Sequence, residues 1–142
     1  MGFQTREEYL AFKQRVTDFL WKEVEPLVPE MEEKDHIPRK VLFTRFREMD
    51  LFRLIIPEEY GGLGLTTVQY LPLLAEMSKV SGAIRALIHV HLTTARAVML
   101  FGREEQKKAH LPKFATGESS LAFGLTEANA GSDAAGIRTE AR

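Results

Sequence analysis

Apolar positions recur at helical spacing along the first four-fifths of the chain and then switch to a shorter period. Thr5 and Glu8 form a capping-box pattern, in which the threonine hydroxyl and the glutamate each satisfy an otherwise unpaired backbone N–H. Tyr9, Phe12, Val16, Phe19, Leu20 and Val24 follow on one face, so a first helix is predicted, ended or bent by Pro26 and Pro29. The acidic stretch 30–35 reads as a solvated connector or short helix. Pro38 suits the first position of a second helix, whose buried face is expected to be Val41, Leu42, Phe46 and Met49.

After Leu54, Ile55, Ile56 and Pro57 comes Glu58-Glu59-Tyr60-Gly61-Gly62-Leu63-Gly64. Clustered glycines allow positive φ and tight turning. The spacing is neither G-x-G-x-x-G nor a P-loop with its lysine, which favours a structural turn over a phosphate cradle. Thr66 and Gln69 repeat the capping box and open a third helix, with Val68, Leu71, Leu74, Ala75 and Ser78 expected inward. Pro72 conflicts with that helix: either it kinks there, or its regular part starts later. Ser81 or Gly82 opens a fourth helix, apolar on nearly all sides through Leu100, which places it centrally in a bundle. Gly102 is its expected stop. Residues 103–110 read as a short exposed helix with Glu104 and Lys108 paired at i,i+4, and Gly117 closes a turn or short helix around Leu111 to Phe114.

From Ser120 the pattern alternates small and large: Ser120, Ala122, Gly124 against Leu121, Phe123, Leu125. That is a strand pattern. A loop over 126–133 follows, and 137–142 reads as the start of a second strand. The expected fold class is therefore mostly α, an orthogonal helical bundle over 1–118, followed over 119–142 by the first strand or two of a β domain.

Composition narrows the function classes. With 142 residues, the chain is long enough for one buried core. Nineteen basic against twenty acidic residues, a net charge of −1, give no electrostatic footprint for nucleic acid. The absence of cysteine removes disulfides, thiolate metal sites and a cysteine nucleophile. The four histidines form no metal-ligand pattern; His89 and His91, two apart, point to different faces of a helix. Gly2 is followed at position 6 by Arg6 where a myristoylation signal needs Ser or Thr, and Glu7 and Glu8 do not suit a transit peptide. Arg85, His89, His91 and Arg96 interrupt the most apolar stretch, 83–101, which argues against a membrane span. The expected setting is cytoplasmic.

Three ordered segments carry a resemblance. Ile56-Pro57-Glu58-Glu59-Tyr60-Gly61-Gly62-Leu63-Gly64 is the first. His91-Leu92-Thr93-Thr94 through Phe101-Gly102-Arg103-Glu104-Glu105-Gln106-Lys107, continuing to Leu111-Pro112 and Gly117-Glu118, is the second. Leu125-Thr126-Glu127-Ala128-Asn129-Ala130-Gly131-Ser132-Asp133 is the third. Together they resemble the acyl-CoA dehydrogenase family, whose signatures include P-E-x-Y-G-G-x-G and L-T-E-P-x-A-G-S-D. The resemblance spans essentially the whole chain; Ala128-Asn129 departs from the proline-containing turn.

That resemblance implies an N-terminal helical domain and the opening of a middle β-barrel, with a C-terminal four-helix bundle beyond. It implies FAD as cofactor, an acyl-CoA thioester as substrate, an electron-transfer flavoprotein-like acceptor and a homo-oligomer when complete. Flavin contacts would fall on Phe123, Leu125, Thr126, Gly131 and Ser132, with Ser132 also approaching the thioester ligand. By themselves these residues read as a polar turn. Ala86, His89, Val90 and Thr93, at i, i+3, i+4 and i+7, would face the acyl chain; by spacing they serve bundle packing equally well. The general base would lie in the C-terminal part, so no residue here is assigned a catalytic role. The alternative expectation is a non-catalytic helical module of the same fold that docks on a partner chain.

Overall fold

Several helix starts are fixed by side-chain caps within three residues of them. A computed structural model of the chain describes residues 3–140. The positions of Gly2 and of the last two residues in the second expected strand, 141 and 142, lie outside the described residues. Helix α1, Arg6–Phe19, opens with the Thr5/Glu8 capping box. Pro26 and Pro29 do not end the helical path. The backbone passes through a π turn, Leu20–Val24, where the Glu25 N–H bonds the Leu20 carbonyl, then a 3₁₀ turn, Glu25–Leu27, and α2, Val28–Glu33. These changes of winding bring the prolines to first-turn positions, where a missing N–H removes no helical bond. Helix α3, Arg39–Glu48, is preceded by Pro38 at the cap rather than the first helical position.

The 3₁₀ turn Glu58–Tyr60 ends at Gly61, whose φ is 82°. Gly64 is likewise left-handed, with φ 60°. Helix α4, Thr67–Val80, starts at the Thr66/Gln69 capping box and runs through Pro72, so its regular part does not start later. Its inward face is Tyr70, Leu73, Met77 and Val80. The expected face is turned away: Val68 and Leu71 are exposed, as are Ala75 and Ser78, and Leu74 is half-buried. Val41 of α3, also expected inside, is exposed too.

Helix α5, Gly82–Phe101, is capped by the Ser81 hydroxyl accepting from the Ile84 N–H at 3.3 Å. It buries Ile84, Ile88, His91, Leu92 and Ala95 on one stripe, while Leu100 and Phe101 are exposed. By length and composition alone α5 could cross a membrane; in this fold that stripe packs within the chain's own core. Gly102 follows it in extended backbone, not left-handed. Its requirement is space, since a Cβ there would sit 2.5 Å from the Val98 carbonyl oxygen.

Helix α6 is longer than expected, Glu104–Ala115, and includes Pro112. Burial of Leu111, Phe114 and Ala115 offsets the hydrogen bond that Pro112 cannot donate. Glu104 pairs with Lys107 at 2.9 Å rather than with Lys108, and it accepts the Tyr60 hydroxyl at 3.1 Å, tying α6 to the glycine loop.

Two apolar clusters result. The larger joins α1, α3, α4 and the first half of α5 through Val16, Phe46, Leu73, Met77 and Ile88. The smaller joins Ile56 and Tyr60 to Ala95, Leu111 and Phe114. Beyond Gly117 the chain runs extended as an arm. Among the described residues this arm holds one isolated antiparallel bridge, Glu127 to Ala130, and the 3₁₀ turn Ala134–Gly136, without a strand. A strand requires a neighbour to pair with, and among the described residues the arm has none.

Candidate functional site

The groove that concerns function lies where α5, α3 and the arm meet. Ala83, Ala86, Leu87 and Val90 recur at i, i+3, i+4 and i+7 on α5 and present one apolar face. Phe43 and Phe52 line the same groove from α3 and the turn after it, and Ser120 and Ala122 line it from the arm. Its volume is about 390 Å³, and Arg39, His91 and Ser120 are its polar lining.

Of the four α5 positions singled out in the sequence, Ala86 and Val90 line this groove. His89 and Thr93 do not. The His89 Nδ1 lies 2.9 Å from the Tyr70 hydroxyl, and the two rings stack with centroids 6.3 Å apart, so this histidine is bound to α4. Burial pushes the Tyr70 hydroxyl up to about 12, which keeps it protonated as a neutral partner. Thr93 is exposed.

Sequence reasoning passed over His91, which is 1% exposed. Its Nε2 lies 3.1 Å from the Phe114 carbonyl, which can only accept, so Nε2 carries the proton. Phe52 packs edge-on at 5.0 Å between ring centroids, and the buried Nδ1 has no hydrogen-bond partner. Burial lowers the ring's pKa below the ordinary histidine range and outweighs the opposing pull of the Phe114 carbonyl.

The linkage sign follows from that direction. As pH falls through about 6.5, the unfolded chain takes up this proton before the folded chain does. Stability is therefore full above that pH, and it declines until the lower folded-state value is passed. Urea midpoints are expected to fall between pH 7.5 and 5.5 for the native chain. His91→Gln keeps an Nε2 donor for Phe114 and should lose that slope; equal slopes in the two proteins would refute the assignment.

The five flavin-loop positions all sit on the arm and all are exposed, with Phe123 58% and Leu125 44% accessible. A Cβ at Gly131 would meet nothing nearer than the Thr126 methyl at 3.8 Å, so the chain itself leaves that position open. The loop is organised by a residue that the sequence did not single out. The Glu127 carboxylate accepts the Arg138 N–H at 3.0 Å, the Thr139 N–H at 2.8 Å and the Thr139 hydroxyl. Those bonds, the hydroxyl's first, hold its pKa below the usual carboxylate range. They also fold the 134–139 segment back over the turn. No group of metal-ligating side chains occurs among the described residues.

Comparison with known proteins bears on the same architecture. The family profile described as acyl-CoA dehydrogenase, N-terminal domain, matches residues 6–118. An acyl-CoA dehydrogenase of Bacillus subtilis (strain 168) is 35% identical over 136 residues, 95% of this chain and 36% of that protein. An acyl-CoA dehydrogenase from Bacillus anthracis, solved with FAD, superposes with TM-score 0.81 at 33% identity, covering 94% of this chain and 23% of that one. A chain in the structure of the electron transferring flavoprotein of Acidaminococcus fermentans gives TM-score 0.82 at 34% identity, covering 96% of this chain and 36% of that one. The chain thus spans between 23% and 36% of the length of these relatives. Because the matched stretch begins with α1 and ends just past α6, the helical bundle is an acyl-CoA dehydrogenase N-terminal domain, and the chain belongs to the acyl-CoA dehydrogenase family.

Proposed function

We propose that this chain supplies the N-terminal portion of an FAD-dependent acyl-CoA dehydrogenase, which desaturates an acyl-CoA thioester between its α and β carbons. The observation that carries this reading is the meeting of α5 with the arm. Ala86 and Val90 line one groove with Ser120 and Ala122, and Phe123, Leu125 and Thr126 follow directly along the arm. A largely apolar groove suits an alkyl chain. Phe123 and Leu125 offer uncovered apolar surface to a flat ring, and the exposed Thr126 hydroxyl offers a hydrogen bond to its edge. The arm's residues therefore fit one wall of a flavin site. When bound, FAD supplies the hydride acceptor; the residues here position it and exclude water.

In this reading residues 119–142 open the β domain, and 120–125 become a strand once a neighbouring strand pairs with them. The general base, the rest of the flavin site, the flavoprotein acceptor's contacts and the homo-oligomer contacts belong to the remainder of the longer enzyme, in a cytoplasmic setting. The purified chain is expected to give no FAD bleaching and no dye reduction with butyryl-CoA or palmitoyl-CoA. Co-expression with the C-terminal remainder of the Bacillus subtilis relative should restore both. In that assembly Ala86→Trp should raise KM for the longer substrate by about tenfold, the loss of roughly 1.4 kcal/mol of binding. Turnover by the chain alone, or an unchanged KM, would overturn the reading.

A second reading, a non-catalytic module docking on a partner chain, draws on Leu100 and Phe101, 61% and 85% exposed at the end of α5. Sedimentation of the pure chain tests the docking reading, since a well-behaved monomer with no exposed apolar surface contradicts it.

A further inference from the structure

Thr126, Gly131 and Ser132 lie in a stretch, 126–139, that is folded by bonds made within itself. The Glu127 N–H donates to the Ala130 carbonyl at 2.8 Å, and the Ala130 N–H returns to the Glu127 carbonyl at 3.4 Å, which closes a turn over 127–130. The 3₁₀ turn Ala134–Gly136 follows, with the Gly136 N–H on the Asp133 carbonyl at 3.1 Å. This segment packs over the first turn: Ala130 is buried, and a Cβ at Gly136 would lie 3.7 Å from its methyl.

One side chain joins the two ends of the stretch. The Glu127 carboxylate reaches across 11 and 12 positions to the N–H groups of Arg138 and Thr139, one oxygen taking each, at 3.0 and 2.8 Å, and it also accepts the Thr139 hydroxyl. An ionised carboxylate suits this place because it offers only acceptors, enough for all three donors, and charge strengthens each bond. A loop whose ends are clasped in this way is a compact body rather than a free tail. Thr126 and Ser132 flank the turn that Glu127 and Ala130 close, and the Thr126 methyl lies 3.8 Å from where Gly131 would carry a Cβ.

We propose that Glu127 is a positioning residue for the flavin: its clasp on residues 138–139 sets the loop before the cofactor arrives, so that binding FAD does not have to order it. This rests on the reading of the arm as one wall of a flavin site. Ordering a mobile loop weakens a ligand's affinity, and a loop ordered in advance avoids that loss. Glu127 thus acts through Thr126, Gly131 and Ser132 and takes no part in the chemistry.

The test uses the full chain alone and its assembly with the C-terminal remainder of the Bacillus subtilis relative. In the chain alone, the Arg138 and Thr139 amides should exchange with solvent about tenfold faster in Glu127→Ala than in the native protein, read by NMR. The urea midpoint followed by far-UV circular dichroism should not move, because that signal reports the helices and the arm lies outside them. In the assembly, Glu127→Ala should raise the Kd for FAD, titrated by flavin fluorescence, about tenfold. Thr139→Val should raise it about threefold, and Thr139→Ser, which keeps the hydroxyl, should match the native protein. Adding Thr139→Val to Glu127→Ala should change nothing further, since both remove the same bond. Native FAD affinity in Glu127→Ala overturns the proposal alone, as does weakened affinity with unchanged amide exchange. A urea midpoint that falls along with FAD affinity makes Glu127 a general structural residue and equally overturns it. A native assembly that binds no FAD refutes the flavin reading itself, and the proposal with it.

Discussion

Gly62→Ala is expected to destabilise the chain by about 3 kcal/mol or more, at or beyond the upper end of what overpacking a tight site costs. A Cβ at this buried position would fall 1.7 Å from the Ile56 carbonyl oxygen and 2.3 Å from its carbon. The obstacle is backbone, which cannot rotate away as a side chain can. Four bonds hold the two passes of chain together here: Gly62 N–H to the Pro57 carbonyl at 3.0 Å, Leu63 to Arg53 at 2.9 Å, Gly64 to Ile56 at 2.8 Å and Leu65 to Leu54 at 2.8 Å. Pushing Ile56 aside strains all of them and withdraws Ile56 from the cluster it shares with Tyr60 and Leu111. Gly61→Ala is the internal control. Gly61 has φ 82° and open space around its Cβ position, so only the left-handed penalty applies, about 1–2 kcal/mol. Guanidinium midpoints followed by far-UV circular dichroism should rank Gly62→Ala well below Gly61→Ala, and the reverse order would contradict the close-approach account.

That contrast also marks what can be read from sequence. The glycine loop was legible as a turn, yet its letters cannot separate a glycine needed for φ from one needed for space. Capping boxes were legible because both partners, Thr5 with Glu8 and Thr66 with Gln69, lie three residues apart. The inward face of α4 was not. The helix carries two apolar stripes, and the choice between them is made by α1 and α5, which no local pattern within α4 encodes. Pro112 illustrates the same limit: local chemistry argues for an end near His110, while burial of Phe114 carries α6 to Ala115.

The site divides similarly. Ala86 and Val90 were legible from spacing on one helix face, whereas Phe52 and Ala122 reach the same groove from sequence positions far from α5. The four-residue face also contained a partner problem, since Tyr70 lies 19 positions before His89 and takes it out of the groove's lining. Exposure of Phe123 and Leu125 is the counterpart on the arm. Both stay exposed among the described residues, so neither the alternating pattern nor the fold of this segment defines what they pack against.

Phe46→Ala should cost about 3–5 kcal/mol, the range for truncating a buried phenylalanine, and should disturb the α5 groove as well. Phe46 is fully buried, with Phe19, Phe43 and Phe52 around it at centroid distances of 6.1, 6.4 and 6.1 Å, each close to edge-to-face. Aromatic pairs of this geometry add about 0.5–1.5 kcal/mol each beyond their burial. Against a typical net stability of about 5–15 kcal/mol, the loss is a large fraction of the whole. Its second consequence follows from position. Phe43 and Phe52 both line the groove, and Phe46 packs against both of them, so the cavity left by alanine lies next to that wall. Phe52 also packs against His91, which extends the disturbance to the buried histidine. Val41→Ala on the same helix, at 61% exposure, should change stability by less than about 0.5 kcal/mol. Urea midpoints test the stability difference. Histidine side-chain NMR tests the coupling: the His91 resonances should shift in Phe46→Ala and stay in place in Val41→Ala. A destabilised Phe46→Ala with unmoved His91 signals would show that the aromatic cluster holds the bundle together without supporting the groove.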